Sequence, residues 1–200
     1  MDMLHTVIFI GRSGSGKGTQ AGLLRERINN YDMEKRQILY VETGERFRQF
    51  IRQDNISAKH AKEINDVGGL QPVFLAAWMW GNVLIEELGE NMHLMFDGAP
   101  RAFTEAEVLT TALEFYKRER ATVVYINVGK KWSEDKLLAR GRTDDMSIQK
   151  IDTRLAWFDA NVVPALEYFK RTPYYRVIEI NGEQTVEKVF DDLIKAYENK

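Results

Sequence analysis

A short apolar segment, residues 6–10, runs directly into a glycine-rich turn. The turn has the sequence Gly-Arg-Ser-Gly-Ser-Gly-Lys-Gly-Thr-Gln at 11–20, and a helical pattern begins within it at Lys17. When a strand, such a turn and a helix follow one another, backbone N–H groups converge at the helix N-terminus, where the helix dipole favours an anion. We therefore predict a phosphate-binding loop in which Lys17 contacts the outer phosphates of a nucleoside triphosphate.

Short apolar segments alternate with longer amphipathic segments along the rest of the chain. This alternation is typical of strand–helix units that build a parallel sheet, so we predict an α/β fold. Strands are predicted at 6–10, 38–41, 93–96, 122–128 and 175–180. Helices are predicted at 17–29, 46–52, 58–66, 72–88, 104–118, 133–139, 147–169 and 185–198, and Pro164 should bend the helix at 147–169.

Composition limits the setting in which the protein works. The chain has 200 residues and no cysteine, so we expect a single domain without disulfides or thiolate metal sites. A chain without cysteine suits a reducing compartment, and we expect a cytoplasmic protein. The 28 basic and 30 acidic residues are spread along the sequence, so we expect no nucleic-acid partner, and the lack of a long apolar segment predicts no membrane partner.

Several motifs resemble those of one family. Gly16-Lys17-Gly18-Thr19-Gln20, with glycine where most phosphate-binding loops carry Ser or Thr after the lysine, resembles the adenylate kinase family of nucleoside monophosphate kinases. Four further segments resemble family motifs in the family's order: Thr-Gly-Glu-Arg-Phe-Arg at 43–48, Gly-Gly-Leu-Gln-Pro at 68–72, Phe-Asp-Gly-Ala-Pro-Arg at 96–101, and Arg-Gly-Arg-Thr-Asp-Asp at 140–145 followed by Arg154.

The resemblance implies both a fold and a reaction. The expected fold is that of a P-loop NTPase, three αβα layers around a five-stranded parallel sheet. Within the single domain at 1–200 we expect a core at 1–42, 73–139 and 146–200, a helical insertion at 43–72 that binds the nucleoside monophosphate (NMP), and a very short lid at 140–145. The expected reaction is reversible, magnesium-dependent transfer from ATP to AMP giving two ADP, by a monomer.

The same resemblance assigns roles to individual residues. Arg48 and Arg101 should hold the acceptor phosphate, since a guanidinium can grip it through two hydrogen bonds. Asp97 should orient Mg²⁺ through water. The expected ATP site is Gly14, Ser15, Gly16, Lys17, Gly18, Thr19, Lys136 and Arg140. The expected NMP site is Thr43, Gly44, Arg48, Gln71, Gly98, Arg101, Glu105, Arg142 and Arg154. The expected catalytic residues are Lys17, Arg101, Arg140, Arg142 and Arg154.

Three departures from the family pattern leave alternatives open. Glu105 stands where the family has a glutamine that pairs with adenine, and a carboxylate accepts but does not donate, so CMP, UMP or another base stays an alternative to AMP. Lys136 replaces an arginine that stacks near the donor base, which predicts weaker discrimination among donors. The short lid predicts some ATP hydrolysis without acceptor.

Two further interpretations remain for the chain as a whole. It could be a P-loop kinase for another small acceptor, or a nucleotide-binding regulatory protein with little turnover. Mixing ATP with AMP and measuring ADP separates these interpretations from the first.

Overall fold

The computed structural model describes residues 4–140 and 148–199, and these form a parallel sheet between two helical layers. The strands pair in the order β2-β3-β1-β4-β5, all parallel. This confirms the predicted α/β class and five-stranded sheet. The strands are β1 (Thr6–Gly11), β2 (Ile38–Glu42), β3 (His93–Asp97), β4 (Ala121–Asn127) and β5 (Tyr175–Asn181).

Helices connect these strands. Within the described ranges they are α1 (Lys17–Tyr31), α2 (Thr43–Phe50), α3 (Ile56–Asp66), α4 (Val73–Glu87), α5 (Phe103–Phe115), α6 (Lys130–Arg140), α7 (Ile148–Trp157), α8 (Val163–Arg171) and α9 (Val186–Glu198), with a π-helical turn at Phe158–Val162. None of these helices is both long enough and apolar enough to cross a membrane.

Both faces of the sheet are covered, which explains why its strands are apolar at successive positions. Neighbouring side chains of a strand point to opposite faces. In β1, Val7 and Phe9 pack with α1 and α9, whereas Ile8 and Ile10 pack with α4, α5 and α8. The result is the predicted three-layer arrangement, with one apolar core on each side of the sheet.

The C-terminal helical region differs from the prediction of one bent helix at 147–169. Regular α-helix ends at Trp157, and a π-helical turn precedes α8, whose first turn contains Pro164. Proline lacks an N–H and its ring crowds the preceding turn, so the α-helical hydrogen-bond pattern cannot continue through it. The interruption therefore begins before the proline, and it separates α7 from α8.

Helices α2 and α3 depart from the strand–helix alternation. The helix predicted to start at residue 46 begins instead at Thr43, directly after β2. The buried Phe50 packs with Ala58 and Ala61 of α3 and with Leu75 and Met79 of α4. This small core, separate from the two beside the sheet, holds α2 over the carboxyl end of β2.

The order of the strands creates a crevice at one edge of the sheet. β1 lies between β3 and β4, and Phe9 of β1 is in register with Asp97 of β3. The connections from neighbouring strands leave in opposite directions at such a point, and the carboxyl ends of the strands then face an open crevice. The glycine-rich turn after β1 and Asp97 therefore share one edge.

Candidate functional site

The glycine-rich turn has the backbone of an anion cradle. Gly14 and Gly16 adopt φ angles of 82° and 86°, which favour glycine. A Cβ at Gly14 would also lie 2.8 Å from the Ser133 carbonyl oxygen of α6. The turn is closed by Ser15 N, which donates to Arg12 O at 3.1 Å, and α1 then begins at Lys17. Backbone amides and a helix N-terminus thus meet at this point.

Arg12, in the same turn, makes contacts that its motif does not predict. Its Nε donates to the Val128 carbonyl oxygen at 3.1 Å, and its Nη2 donates to Asp159 Oδ1 at 2.6 Å. Its guanidinium carbon lies 4.5 Å from the centroid of the Phe158 ring. The turn is therefore tied to β4 on one side and to the π-helical turn on the other.

A cavity of about 210 Å³ opens beside the turn. It joins segments that are far apart in sequence: the glycine-rich turn, the start of α2, the segment before α4, the end of β3 and helices α5, α6 and α7. Its lining includes Gly14, Lys17, Gly18, Thr43, Gly44, Arg48, Gln71, Asp97, Gly98, Arg101, Glu105, Arg140, Arg154 and Trp157. The lysine and arginines that we predicted to hold the donor and acceptor phosphates therefore share one cavity, as far as the structure describes them.

Two glycines give the acceptor-side guanidinium groups their space. A Cβ at Gly44 would lie 3.4 Å from Arg48 Nη1 and 3.9 Å from Arg101 Nη2, and a Cβ at Gly98 would lie 3.0 Å from Arg101 Nη2. Arg101 is fixed by its Nε, which donates to the Gly98 carbonyl oxygen at 2.6 Å. Both guanidinium groups thus approach the backbone of Gly44 from within the cavity.

Carboxylates hold Arg48 in place. Its Nη2 lies 2.7 Å from Glu45 Oε2 and 3.4 Å from Glu42 Oε1. Glu45 is the residue that differs from the aspartate of the family motif, and its carboxylate still reaches the arginine. Glu42 also lines the cavity, and sequence analysis did not identify it.

Burial and the surrounding charges change the pKa of Lys17. Burial lowers the pKa of Lys17 to about 8, Asp97 opposes this shift, and Arg101, Arg140 and Arg154 add to it. Burial thus disfavours the ammonium form of Lys17 most, and repulsion from the three arginines adds to this cost. A polyanion such as a triphosphate would relieve this repulsion.

Asp97 is positioned for a hydrated cation. Tyr40 donates its hydroxyl hydrogen to Asp97 Oδ2 at 3.0 Å. A Cβ at Gly18 would lie 3.0 Å from the same oxygen, so the first turn of α1 lies directly against this carboxylate. Among residues 4–140 and 148–199, no group of three or more His, Cys, Asp or Glu could hold a metal. The single carboxylate of Asp97 fits Mg²⁺, which usually binds to one or two carboxylates, water and substrate phosphates.

Glu105 is buried at the floor of the cavity with both carboxylate oxygens engaged. Trp80 Nε1 donates to Oε1 at 3.0 Å, and the Arg101 backbone N–H donates to Oε2 at 2.7 Å. Burial raises the pKa of Glu105, while these two hydrogen bonds and the Arg101 charge oppose the shift.

Trp157 links the two sides of the site. Its Nε1 donates to the Gly68 carbonyl oxygen at 3.0 Å, and its ring centroid lies 5.7 Å from the Arg101 guanidinium carbon. Trp157 ends α7, three residues after Arg154, so it faces the cavity from the same helix. That spacing is a signal that sequence analysis could have used; Tyr40, within an apolar strand, offers no such signal.

Some predicted residues lie outside this lining. Gly16 and Thr19 are exposed and Ser15 is buried below the turn. Lys136 is also exposed, and its Nζ lies 4.8 Å from the centroid of the Trp132 ring on the same helix. A Cβ at Gly14 would still come within 3.4 Å of Lys136 Cβ, so this side chain starts beside the turn. Arg142 and most of the predicted lid lie outside the described residues.

Comparison with known proteins identifies the family. The family model for adenylate kinase matches residues 9–174. The chain is 33% identical over 198 residues to a Bacteroides fragilis protein named adenylate kinase, covering 97% of this chain and 98% of that protein. It is 29% identical over 204 residues to the adenylate kinase of Flavobacterium psychrophilum, covering 98% of this chain and 100% of that protein. The chain therefore belongs to the adenylate kinase family of nucleoside monophosphate kinases.

Proposed function

We propose that this protein transfers the γ-phosphoryl group of ATP to AMP, reversibly, giving two ADP. One observation carries the proposal: a single cavity is lined by the lysine of the glycine-rich turn and by arginines from α2, α6, α7 and the segment after β3. The glycine-rich turn by itself forms a cradle for the phosphates of one nucleotide. Guanidinium groups facing that turn from other segments supply the means to hold a second phosphate in line with the first.

The reaction needs alignment and charge neutralisation from the protein. The bond between the γ phosphorus and the β–γ bridging oxygen breaks while an oxygen of the AMP phosphate bonds to that phosphorus. The attacking oxygen belongs to an anion at neutral pH, because the second pKa of a phosphate monoester is about 6. It carries its own electron pair, so the site does not require a general base.

We propose the following division of labour. The turn amides and Lys17 bind the ATP phosphates, and Arg48 and Arg101 bind the AMP phosphate. Arg140 and Arg154, with Arg142, neutralise charge on the transferred group. Asp97, supported by Tyr40, would hold the water shell of Mg²⁺, an ion that neutralises phosphate charge when bound.

We also propose an organisation for the chain. Residues 43–72, with α2 and α3, would be the acceptor-binding insertion, 140–145 the short lid, and the remainder the core. The apolar cluster around Phe50 packs α2 and α3 together and against α4 of the core. A monomeric protein in the cytoplasm fits the family and the lack of cysteine.

The test is a panel of nucleoside monophosphates incubated with ATP and Mg²⁺, with products separated by chromatography. We expect AMP to be converted to ADP with a higher kcat/KM than CMP, UMP or GMP, and Lys17→Ala to abolish turnover. A tenfold or greater preference for another base, about 1.4 kcal/mol in transition-state binding, would overturn the assignment of AMP. Tight ATP binding without turnover of any acceptor would favour the regulatory alternative.

A further inference from the structure

Two N–H donors converge on residue 105, one on each side-chain oxygen. The Trp80 indole and the Arg101 backbone amide lie 3.0 Å and 2.7 Å from Oε1 and Oε2. Glu105 is 2% exposed. A carboxylate accepts at both oxygens, whereas a glutamine amide has one oxygen and would turn its NH₂ group towards one of these donors. The surroundings of residue 105 therefore require an acceptor at both positions.

The carboxylate also has accepting capacity left over. Each carboxylate oxygen has two lone pairs, and Trp80 and Arg101 each use one. Since Glu105 lines the cavity, a bound base would meet an acceptor here and no donor.

Gln71, which also lines the cavity, carries a second acceptor that is not fully satisfied. Its Nε2 donates to the Ala61 carbonyl oxygen at 2.8 Å, which directs the amide oxygen elsewhere. Within the described part of the chain this buried Oε1 has no hydrogen-bond partner, and Gln71 lines the cavity. Buried polar atoms are normally hydrogen-bonded, so this oxygen keeps the capacity to accept a hydrogen bond from a donor.

The bases differ in what they offer to such a site. The pairing edge of adenine carries one amino donor beside a ring-nitrogen acceptor, which would face the carboxylate unfavourably. Guanine carries a ring N–H beside an amino group, two adjacent donors that match a carboxylate. We propose that Glu105 is a specificity-determining residue, whose carboxylate pairs better with a guanine edge than with an adenine edge and so narrows the preference of this site for AMP over GMP. This inference rests on the proposed NMP kinase function and deepens it.

The experiment compares kcat/KM for GMP and AMP in wild-type protein and in Glu105→Gln. The ratio of the two values is independent of the fraction of folded protein, so a loss of stability does not obscure it. Glu114→Gln, on the exposed side of the same helix, is the matched control. The double variant Trp80→Phe/Glu105→Gln removes the indole N–H and leaves room for the glutamine amide.

We expect wild-type protein to phosphorylate GMP, and to use IMP, which lacks the 2-amino group, less well than GMP. Glu105→Gln should shift the GMP-to-AMP ratio towards AMP by at least tenfold, about 1.4 kcal/mol, the double variant should shift it further, and Glu114→Gln should not shift it.

An unchanged ratio in both Glu105 variants, or equal use of GMP and IMP by the wild type, would overturn the role of Glu105 while leaving the kinase function intact. Failure of the wild type to phosphorylate any acceptor would instead overturn the proposed function.

Discussion

Lys17 carries a charge that depends on what occupies the site. Without nucleotide, burial and the neighbouring arginines keep the pKa of Lys17 at about 8. A bound triphosphate adds negative charge beside the ammonium group, and an opposite charge at this distance raises the pKa of a lysine. ATP binding and protonation of Lys17 are therefore linked.

This linkage predicts a pH dependence of ATP binding. Below about pH 8 Lys17 is already charged, and above it a proton must be taken up before the ammonium can pair with phosphate. We expect the Kd for ATP to increase as pH rises through 8 and binding to take up protons there. Calorimetry at fixed pH in two buffers of different ionisation enthalpy measures the uptake. Equal binding enthalpies in both buffers above pH 8 would contradict the linkage.

Helix α7 connects the proposed acceptor side of the site to its proposed catalytic side. Arg154 and Trp157 both line the cavity from this helix, and Trp157 donates to the Gly68 carbonyl oxygen in the segment before α4. Gly68 itself has a φ of 74°, and a Cβ there would lie 2.8 Å from the Lys150 carbonyl oxygen of α7. The helix thus packs closely on the end of the proposed insertion.

Loss of the indole N–H should weaken this connection selectively. Trp157→Phe keeps a ring beside Arg101 but removes the hydrogen bond to Gly68, a contact worth about 1 kcal/mol. We expect the Kd for AMP to rise about fivefold and the Kd for ATP to stay unchanged, both measured by calorimetry. Trp78→Phe, at a residue 52% exposed on α4, is the matched control. An equal rise in the Kd for AMP and the Kd for ATP would show that Trp157 acts on the whole fold.

The elements of this fold differ in how far the sequence predicts them. The strands could be predicted because a sheet covered on both faces needs apolar residues at successive positions, as in β1. The cradle could be predicted because positive φ at Gly14 and Gly16 requires glycine at fixed spacing. The start of α2 could not be predicted, because Thr43 and Gly44 are poor helix formers. The position of this helix depends instead on the packing of Phe50 against α3 and α4.

Two of the missed site residues, Trp157 and Tyr40, make contacts that are distant in sequence. Trp157 reaches Gly68 across 89 positions, and Tyr40 reaches Asp97 across 57. Such contacts arise from the order of strands and the docking of helices. The spacing of Arg154 and Trp157 could indicate that they share a face of α7, but it does not predict the contact with Gly68. Glu105 was identified from its place in a motif, but the two donors that require a carboxylate there became apparent only in the fold.

The whole molecule has a second cluster of ionisable groups, at the amino edge of the sheet and opposite the nucleotide site. The His5 backbone N–H donates to His93 Nδ1 at 2.9 Å, and the Tyr197 hydroxyl oxygen lies 2.7 Å from His5 Nδ1. Asp32, Arg36 and Arg118 also face the two imidazoles. The cluster joins β1, β3 and α9, so its protonation bears on the stability of the sheet.

Acid should destabilise the fold through this cluster. Burial, followed by the charges of His93 and Arg36, lowers the pKa of His5 to about 4, and Asp32 opposes the shift; burial also lowers the pKa of His93. Between about pH 6.5 and 4 the unfolded chain then binds more protons than the native state, so stability falls as pH falls. After allowance for solvent screening, we expect His5 to account for about 1 kcal/mol between pH 7 and 5.

Urea unfolding at these two pH values measures the effect. His5→Gln should lose less stability on acidification than the wild type, because glutamine has no proton to gain, whereas His60→Gln, on exposed α3, should behave as the wild type does. If His5→Gln and wild type lost the same free energy of unfolding, the acid sensitivity would lie elsewhere in the molecule. If the loss in His5→Gln were smaller, the amino edge of the sheet would set the lower pH limit of the fold independently of the nucleotide site, since these histidines lie at the opposite edge from Lys17 and Asp97.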